Sequence, residues 1–65
     1  MGSNLTPELI RLLKAAGCWI IRRGKGDHNI WESPISGHRF PVDAKIASRH
    51  MANTVLKQAG LPQAF

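Results

Sequence analysis

The shortness of the chain is the feature that most limits what it can fold into. Its 65 residues leave room for one domain, which we expect to span residues 1–65. A domain of about this size buries roughly 60% of the surface that its unfolded chain exposes, so its core must be thin. A deep pocket for a drug-sized ligand, of about 300 Å³ or more, would use up much of that interior. We therefore expect function to reside on an open face that meets a macromolecule.

The charge balance points to nucleic acid as that macromolecule. Nine Lys or Arg residues against four Asp or Glu residues give a net charge of +5 with neutral histidines. Such an excess attracts phosphate backbones through counterion release, although basicity that only confers solubility is the plainer alternative. A membrane is a weaker candidate, because no polybasic cluster adjoins a large apolar helix face and no apolar run approaches the roughly 18 residues of a membrane span.

The single cysteine, Cys18, indicates the compartment. One cysteine cannot form an internal disulfide, so the chain does not resemble a disulfide-stapled secreted miniprotein. No charged segment followed by an apolar segment marks a signal peptide. We expect a cytoplasmic protein in which Cys18 belongs to the core.

The first element is predicted to be a short amphipathic helix. Thr6 is the expected N-cap, Pro7 suits the first helical position, and an apolar stripe follows. Gly17 supplies the left-handed residue that ends many helices, which gives a helix of about ten residues.

Three short strands follow. Residues 18–23 and 28–32 are rich in β-branched and aromatic side chains and flank a glycine-containing turn, which is typical of a hairpin. Residues 38–42 form a third strand, in which Pro41 favours an edge position. Alternation along the first strand places Trp19 with Ile21 on one face and Cys18 with Ile20 on the other.

The last predicted element is a second helix that runs from a Ser48 cap to about residue 59 and ends at Gly60. Its expected buried stripe consists of Met51, Ala52, Val55, Leu56 and Ala59. The fold class is therefore α+β in the order α-β-β-β-α, with a three-stranded antiparallel sheet and both helices on one face.

The hairpin turn carries the candidate chemistry. Glycines in the Arg22-Arg23-Gly24-Lys25-Gly26-Asp27-His28 segment would let backbone N–H groups approach a phosphate, and the cations Arg22, Arg23 and Lys25 would hold it. An imidazole, with an ordinary pKa near 6.5, can remove a 2′-hydroxyl proton from RNA and protonate a leaving oxygen. His28 is thus a candidate catalyst for RNA cleavage, against the plainer interpretation of an ordinary loop with a surface histidine.

Other chemistry is less well supported by the sequence. No metal site is expected, because neither His38 nor His50 stands at a metal-ligand spacing from His28. The side chains of Trp19 and Trp31 could stack on unpaired bases, but large aromatic residues in a small domain more often form its core, and we expect the latter.

Four segments, taken in order, resemble the HicA family of small bacterial toxins. They are residues 9–17, the Gly26-Asp27-His28 triplet, the Phe40-Pro41-Val42 triplet, and residues 56–61, which read Leu-Lys-Gln-Ala-Gly-Leu. The resemblance implies a fold similar to the double-stranded-RNA-binding domain, ribosome-independent cleavage of mRNA, growth arrest, and neutralisation by a HicB-type antitoxin that covers the active face. The family's catalytic histidine falls on His28.

The resemblance also exposes differences within the site. Asp27 stands where the family has a serine, Asp43 where a histidine is common, and His50-Met51 where a glycine and a threonine are typical. The Asp27 carboxylate either supports His28 or repels the scissile phosphate.

The combined prediction is a toxin-type endoribonuclease without cofactor, in which His28 is catalytic. Its predicted RNA-binding residues are Arg22, Arg23, Lys25, Gly26 and Lys45. Two alternatives remain: a non-catalytic RNA-binding module that uses the same basic face, and a domain whose exposed sheet face binds only another protein.

Overall fold

A computed structural model describes residues 4–24 and 28–65 of the chain. The elements, in chain order, are α1 (Thr6–Ala15), β1 (Trp19–Arg23), β2 (His28–Glu32), β3 (Arg39–Asp43) and α2 (Arg49–Gln58). The strands form an antiparallel sheet in the order β1-β2-β3. The predicted α-β-β-β-α order is confirmed, and each strand begins and ends within one residue of its predicted position.

Both helices end as predicted, at glycines with a left-handed backbone. Gly17 has φ of 90° and Gly60 has φ of 80°. After each glycine the chain folds back: Cys18 N–H donates to the Leu13 carbonyl at 3.0 Å, and Leu61 N–H donates to the Leu56 carbonyl at 2.8 Å. These bonds satisfy carbonyls that the helix ends would otherwise leave without partners.

The two helix starts differ. Ser48 caps α2 as predicted, its side chain accepting a hydrogen bond from Met51 N–H at 3.3 Å. The prediction for α1 was wrong, because the N-cap is Leu5 and Thr6 is already helical. The buried Thr6 hydroxyl instead donates to the Asp43 carbonyl at 3.0 Å and accepts from Ile46 N–H at 2.9 Å. The Thr6 hydroxyl, which the sequence predicted to cap α1, thus forms hydrogen bonds with residues that are distant in sequence.

The core lies between the helices and one face of the sheet, called here the inner face. Trp31 and Phe40, which are directly opposite each other on β2 and β3, are each 1% exposed. Leu9 and Leu13 of α1 and Ala52 and Leu56 of α2 belong to the same buried cluster. Both helices therefore cover one face, as predicted, and leave the other, called here the outer face, without a helix.

Burial corrects two predictions. The expectation of a core tryptophan is confirmed for Trp31 and wrong for Trp19, whose side chain is 44% exposed. Trp19 is paired with Glu32 on β2, so strand alternation turns it to the outer face while Trp31 points inward. Met51 was predicted to be buried in α2 and is 48% exposed, because it lies beside the buried stripe that Ala52, Val55 and Leu56 form.

The turn between β2 and β3 caps the C-terminal end of α2. Ser33, which is fully buried, donates its hydroxyl to the Ala59 carbonyl at 2.6 Å and accepts from Ile35 N–H at 3.1 Å. Ser36 donates to the Gln58 carbonyl at 2.6 Å. Two carbonyls of the last helical turn thus find partners in a loop that is distant in sequence.

The sheet has two open edges, β1 and β3, and Pro41 lies on β3 as its missing N–H favours. Within the part of the chain that the structure describes, neither helix has the length and apolarity required to cross a membrane.

Replacement of Ser33 by alanine is expected to destabilise the fold by about 1–3 kcal/mol, because it leaves buried backbone groups without partners. Ser36→Ala, which removes a similar hydrogen bond from a less buried position, is the matched control and should cost less. Urea unfolding of both variants measures the difference. Equal stability of Ser33→Ala and the parent would contradict the role given to this hydroxyl.

Candidate active site

His28 is the first residue of β2 and lies on the outer face. Side chains alternate along a strand, so His28, Ile30 and Glu32 share the face opposite to the buried Trp31. The His28 side chain is 58% exposed. The histidine is therefore open to a macromolecule and does not form part of the core.

The direct neighbour of His28 across the sheet is Asp43, the last residue of β3. The Nδ1 atom of His28 contacts the Oδ1 atom of Asp43, whose side chain is 35% exposed. Opposite residues of an antiparallel pair present their side chains to the same face, so backbone register brings the two groups together.

This contact assigns roles to the two ring nitrogens. An ionised carboxylate can only accept hydrogen bonds, so Nδ1 carries the hydrogen and donates it to Asp43. Nε2 is the nitrogen that Asp43 does not engage, and in the neutral ring it is a base. A carboxylate behind an imidazole fixes its tautomer and orientation and stabilises the protonated ring, as in hydrolytic triads.

The backbone that carries Asp43 is itself anchored. Its carbonyl accepts the hydrogen bond from the buried Thr6 hydroxyl, and Asn4 donates its side-chain amide to the next carbonyl, that of Ala44, at 3.2 Å. The start of α1 therefore holds the end of β3 from the inner side, while the Asp43 side chain meets His28.

A β-bulge in β1 brings Arg22 to the same face as His28. Ile20 is opposite Trp31 and Arg22 is opposite Ile30, so one extra residue, Ile21, lies between the two pairs. Without it, Arg22 would share the inner face with Ile20. Bulges often serve to redirect a side chain next to an active site.

The same bulge separates Arg22 from its neighbour in sequence. Arg23 is opposite Asn29, which in turn is opposite the buried Val42, so Arg23 lies at the end of the inner face. Both arginines are exposed. Of the two predicted phosphate-binding arginines, the structure therefore places only Arg22 on the face of His28.

Gly24 follows β1 where the chain passes close to His28. Its N–H donates to the His28 carbonyl at 2.8 Å. A Cβ atom at this position would lie 2.8 Å from the same carbonyl oxygen, closer than real Cβ contacts come. A residue without a side chain is thus required here for the hairpin to close on His28.

Of the remaining predicted site residues, the structure describes only Lys45. Lys45 is exposed in the connection that follows β3, two positions after Asp43. Lys25 and Gly26 lie outside the described residues, as does Asp27. Their predicted roles stay predictions.

Metal binding and thiol chemistry receive no support from the described residues. Residues 4–24 and 28–65 contain no group of three or more His, Cys, Asp or Glu side chains that could hold a metal ion. Cys18 is buried, as expected, and belongs to the core cluster. His38 precedes β3 at the opposite end of the sheet from His28 and is exposed.

Asp43 is the site residue that sequence reasoning missed. It was assigned to the connection after β3 and noted only as a departure from a family pattern. In β3 the buried Phe40 and Val42 alternate with the exposed Pro41, so Asp43 lies on the outer face. The register that pairs Asp43 with His28 could not be predicted from the sequence, because the length and conformation of the turn between β2 and β3 determine it.

Comparison with known proteins identifies a family. A family model described as the HicA toxin of bacterial toxin-antitoxin matches residues 6–61. Curated proteins and solved structures give no significant match.

The tautomer of His28 tests the pairing with Asp43. In ¹⁵N NMR spectra, neutral His28 is expected to be mainly the Nδ1–H tautomer, because Asp43 accepts that hydrogen. Asp43→Ala should shift His28 toward the Nε2–H tautomer and leave the distant His38 unchanged. The same His28 tautomer in both proteins would contradict the assignment.

Proposed function

The chain belongs to the HicA toxin family of bacterial toxin–antitoxin systems, and we propose that it acts as an endoribonuclease that cleaves mRNA without a metal ion. In this proposal His28 is the catalytic residue and residues 1–65 act as one domain in the cytoplasm. The observation that carries the proposal is the His28 and Asp43 pair, which lies on an open sheet face beside Arg22.

The proposed reaction uses the nucleophile that RNA itself supplies. Nε2 of His28 takes the proton of a 2′-hydroxyl while the 2′-oxygen bonds to the adjacent phosphorus. The bond between that phosphorus and the 5′-oxygen of the next nucleotide breaks, and the proton passes from Nε2 to the leaving oxygen. The products are a 2′,3′-cyclic phosphate and a 5′-hydroxyl, so atoms and charge balance without an added water molecule.

Asp43 acts through His28. Its carboxylate keeps the hydrogen on Nδ1, which leaves Nε2 as the base, and it stabilises the imidazolium ion that forms when Nε2 takes the proton. Asp43 is thus a positioning residue and does not itself accept the proton.

Basic residues hold the substrate in this proposal. Arg22 is on the face of His28, and Lys45 is exposed beyond the end of β3 that carries Asp43. We assign Lys25 and the backbone of Gly26, which lie outside the described residues, to phosphate contacts. Arg23 lies on the other face. We therefore assign it only a contribution to the positive field of the molecule, or a contact with an RNA strand that extends around the edge of the sheet at β1.

A toxin of this family implies an antitoxin partner, and we propose one of the HicB type. An acidic protein would bind the basic outer face through charge complementarity and bury the exposed Trp19 and Ile21. Its presence there would prevent RNA from binding. Catalysis and neutralisation would then compete for one surface.

The proposal predicts that the purified chain cleaves a defined RNA in the presence of a chelator. His28→Ala should reduce the rate by roughly 10²- to 10⁴-fold, because the proton transfer is lost. The fragments should carry 2′,3′-cyclic phosphate ends, and a 2′-O-methyl version of the RNA should not be cleaved, because it lacks the nucleophile.

His38→Ala is the matched control, because it removes an exposed histidine at the other end of the sheet. It should cleave at the parent rate. If neither the parent nor His28→Ala cleaves while both bind RNA, the chain is a non-catalytic RNA-binding module. Cleavage that survives in His28→Ala would show that His28 is not the catalyst.

A further inference from the structure

The outer face carries apolar side chains that no element of the described chain covers. Trp19 is 44% exposed and Ile21 is 39% exposed. Ile30 and Pro41, which are directly opposite each other, occupy the same face. Apolar side chains that are grouped on one exposed face, unlike single scattered ones, mark an interaction site.

A shallow depression of about 290 Å³ lies beside these residues, lined by Ile21, Arg22, Ile30 and Arg39. The bulge in β1 creates it, because the extra residue puts Ile21 and Arg22 on the outer face together. Its volume is at the lower end of the range for small-molecule sites, so it suits a group of about the size of one nucleotide. Two apolar side chains and the guanidinium-bearing side chains of two arginines line it.

One of those guanidinium groups is held in place. Arg39 Nε donates to Glu32 Oε1 at 3.0 Å, and the Arg39 side chain is nevertheless 70% exposed. A guanidinium has five N–H donors, of which this bond uses one. The others remain to hydrogen-bond a phosphate, and Glu32 restricts the orientation of the group.

The depression is continuous with the candidate active site. Ile30 is two residues from His28 along β2, which corresponds to about 7 Å. Glu32, the partner of Trp19, is four residues from His28, or about 14 Å. A strand of RNA with its scissile phosphate at His28 would therefore run over the depression toward Trp19.

We infer that the outer face is a subsite for unpaired RNA, in which Trp19 stacks on a base near the scissile phosphate and Arg22 and Arg39 bind the flanking phosphates. The inference rests on the proposed function and names the substrate class that the site prefers. In a duplex the base faces are already stacked on one another, so Trp19 has no face to contact.

The charges on the outer face favour RNA over a protein as its binding partner. Two arginines flank the apolar surface, and an aromatic ring with neighbouring cations is the combination that single-stranded nucleic acid binds. A protein partner would gain from the same apolar residues, and it is an outcome that the experiment distinguishes.

Binding of a short single-stranded 2′-O-methyl RNA, which cannot be cleaved, tests the subsite. Stacking on Trp19 should quench tryptophan fluorescence, and Trp19→Ala should abolish the quench and weaken binding by at least about fivefold. Trp19→Phe keeps an aromatic face and should bind close to the parent. The duplex form of the same RNA should bind equally to the parent and to Trp19→Ala.

Two matched controls separate stacking and local charge from general effects. Ile35→Ala removes an exposed apolar side chain from the β2–β3 turn, away from the outer face, and should leave binding unchanged. Arg22→Gln and Arg23→Gln remove the same charge from opposite faces, so Arg22→Gln should reduce binding more than Arg23→Gln, whose loss reflects only the weaker positive field. Thermal unfolding should show that the variants remain folded, as the exposure of these side chains leads us to expect.

Equal affinity of the parent and Trp19→Ala for the single strand would overturn the subsite. If Trp19→Ala at the same time lost affinity for a HicB-type antitoxin, the face would belong to a protein partner instead. Failure of the proposed function gives a different result: the parent would bind the modified strand through Trp19 but would not cleave unmodified RNA.

Discussion

The cross-strand pair of Trp31 and Phe40 is the contact on which the rest of the structure depends. Truncation of a core aromatic residue typically costs about 3–5 kcal/mol, which is a large part of the roughly 5–15 kcal/mol that stabilises a domain. This pair therefore determines which face of the sheet the helices cover. Because side chains alternate along a strand, His28, three positions before Trp31, must then lie on the outer face. A slip of one residue would turn it toward the helices.

The same register explains the candidate site. It places Asp43 opposite His28, while the Thr6 hydroxyl holds the Asp43 carbonyl from the other side. The bulge at Ile21 changes the alternation in β1 and brings Arg22 to the outer face. Core packing, a buried hydroxyl and one bulge residue thus bring together the three groups to which we assign the roles of base, positioning carboxylate and phosphate-binding cation. A thin domain can carry such a site because all three groups stand on a sheet, where backbone pairing sets their positions.

Local signals in the sequence predicted the elements well and the site only in part. Gly17, Gly60 and Ser48 act within one helical turn, so their roles could be predicted from sequence. The residues that the sequence misplaced depend on distant partners. Thr6 forms its bonds with residues about 40 positions away, Trp19 is exposed because the helices cover the other face, and Asp43 meets His28 only through the register of β2 and β3. Resemblance to a family predicted His28, but it gave no role to Asp43, where the family commonly has histidine.

In the proposed mechanism His28 and Asp43 act as one unit in RNA cleavage. A double-mutant cycle on the cleavage rate tests this coupling, with His28→Ala, Asp43→Ala and the double variant compared with the parent. We expect Asp43→Ala to slow cleavage and the double variant to be no slower than His28→Ala, because a carboxylate that acts through the imidazole has no effect once the ring is gone. If the two losses multiply in the double variant, Asp43 acts independently of His28, and the proposed coupling is contradicted.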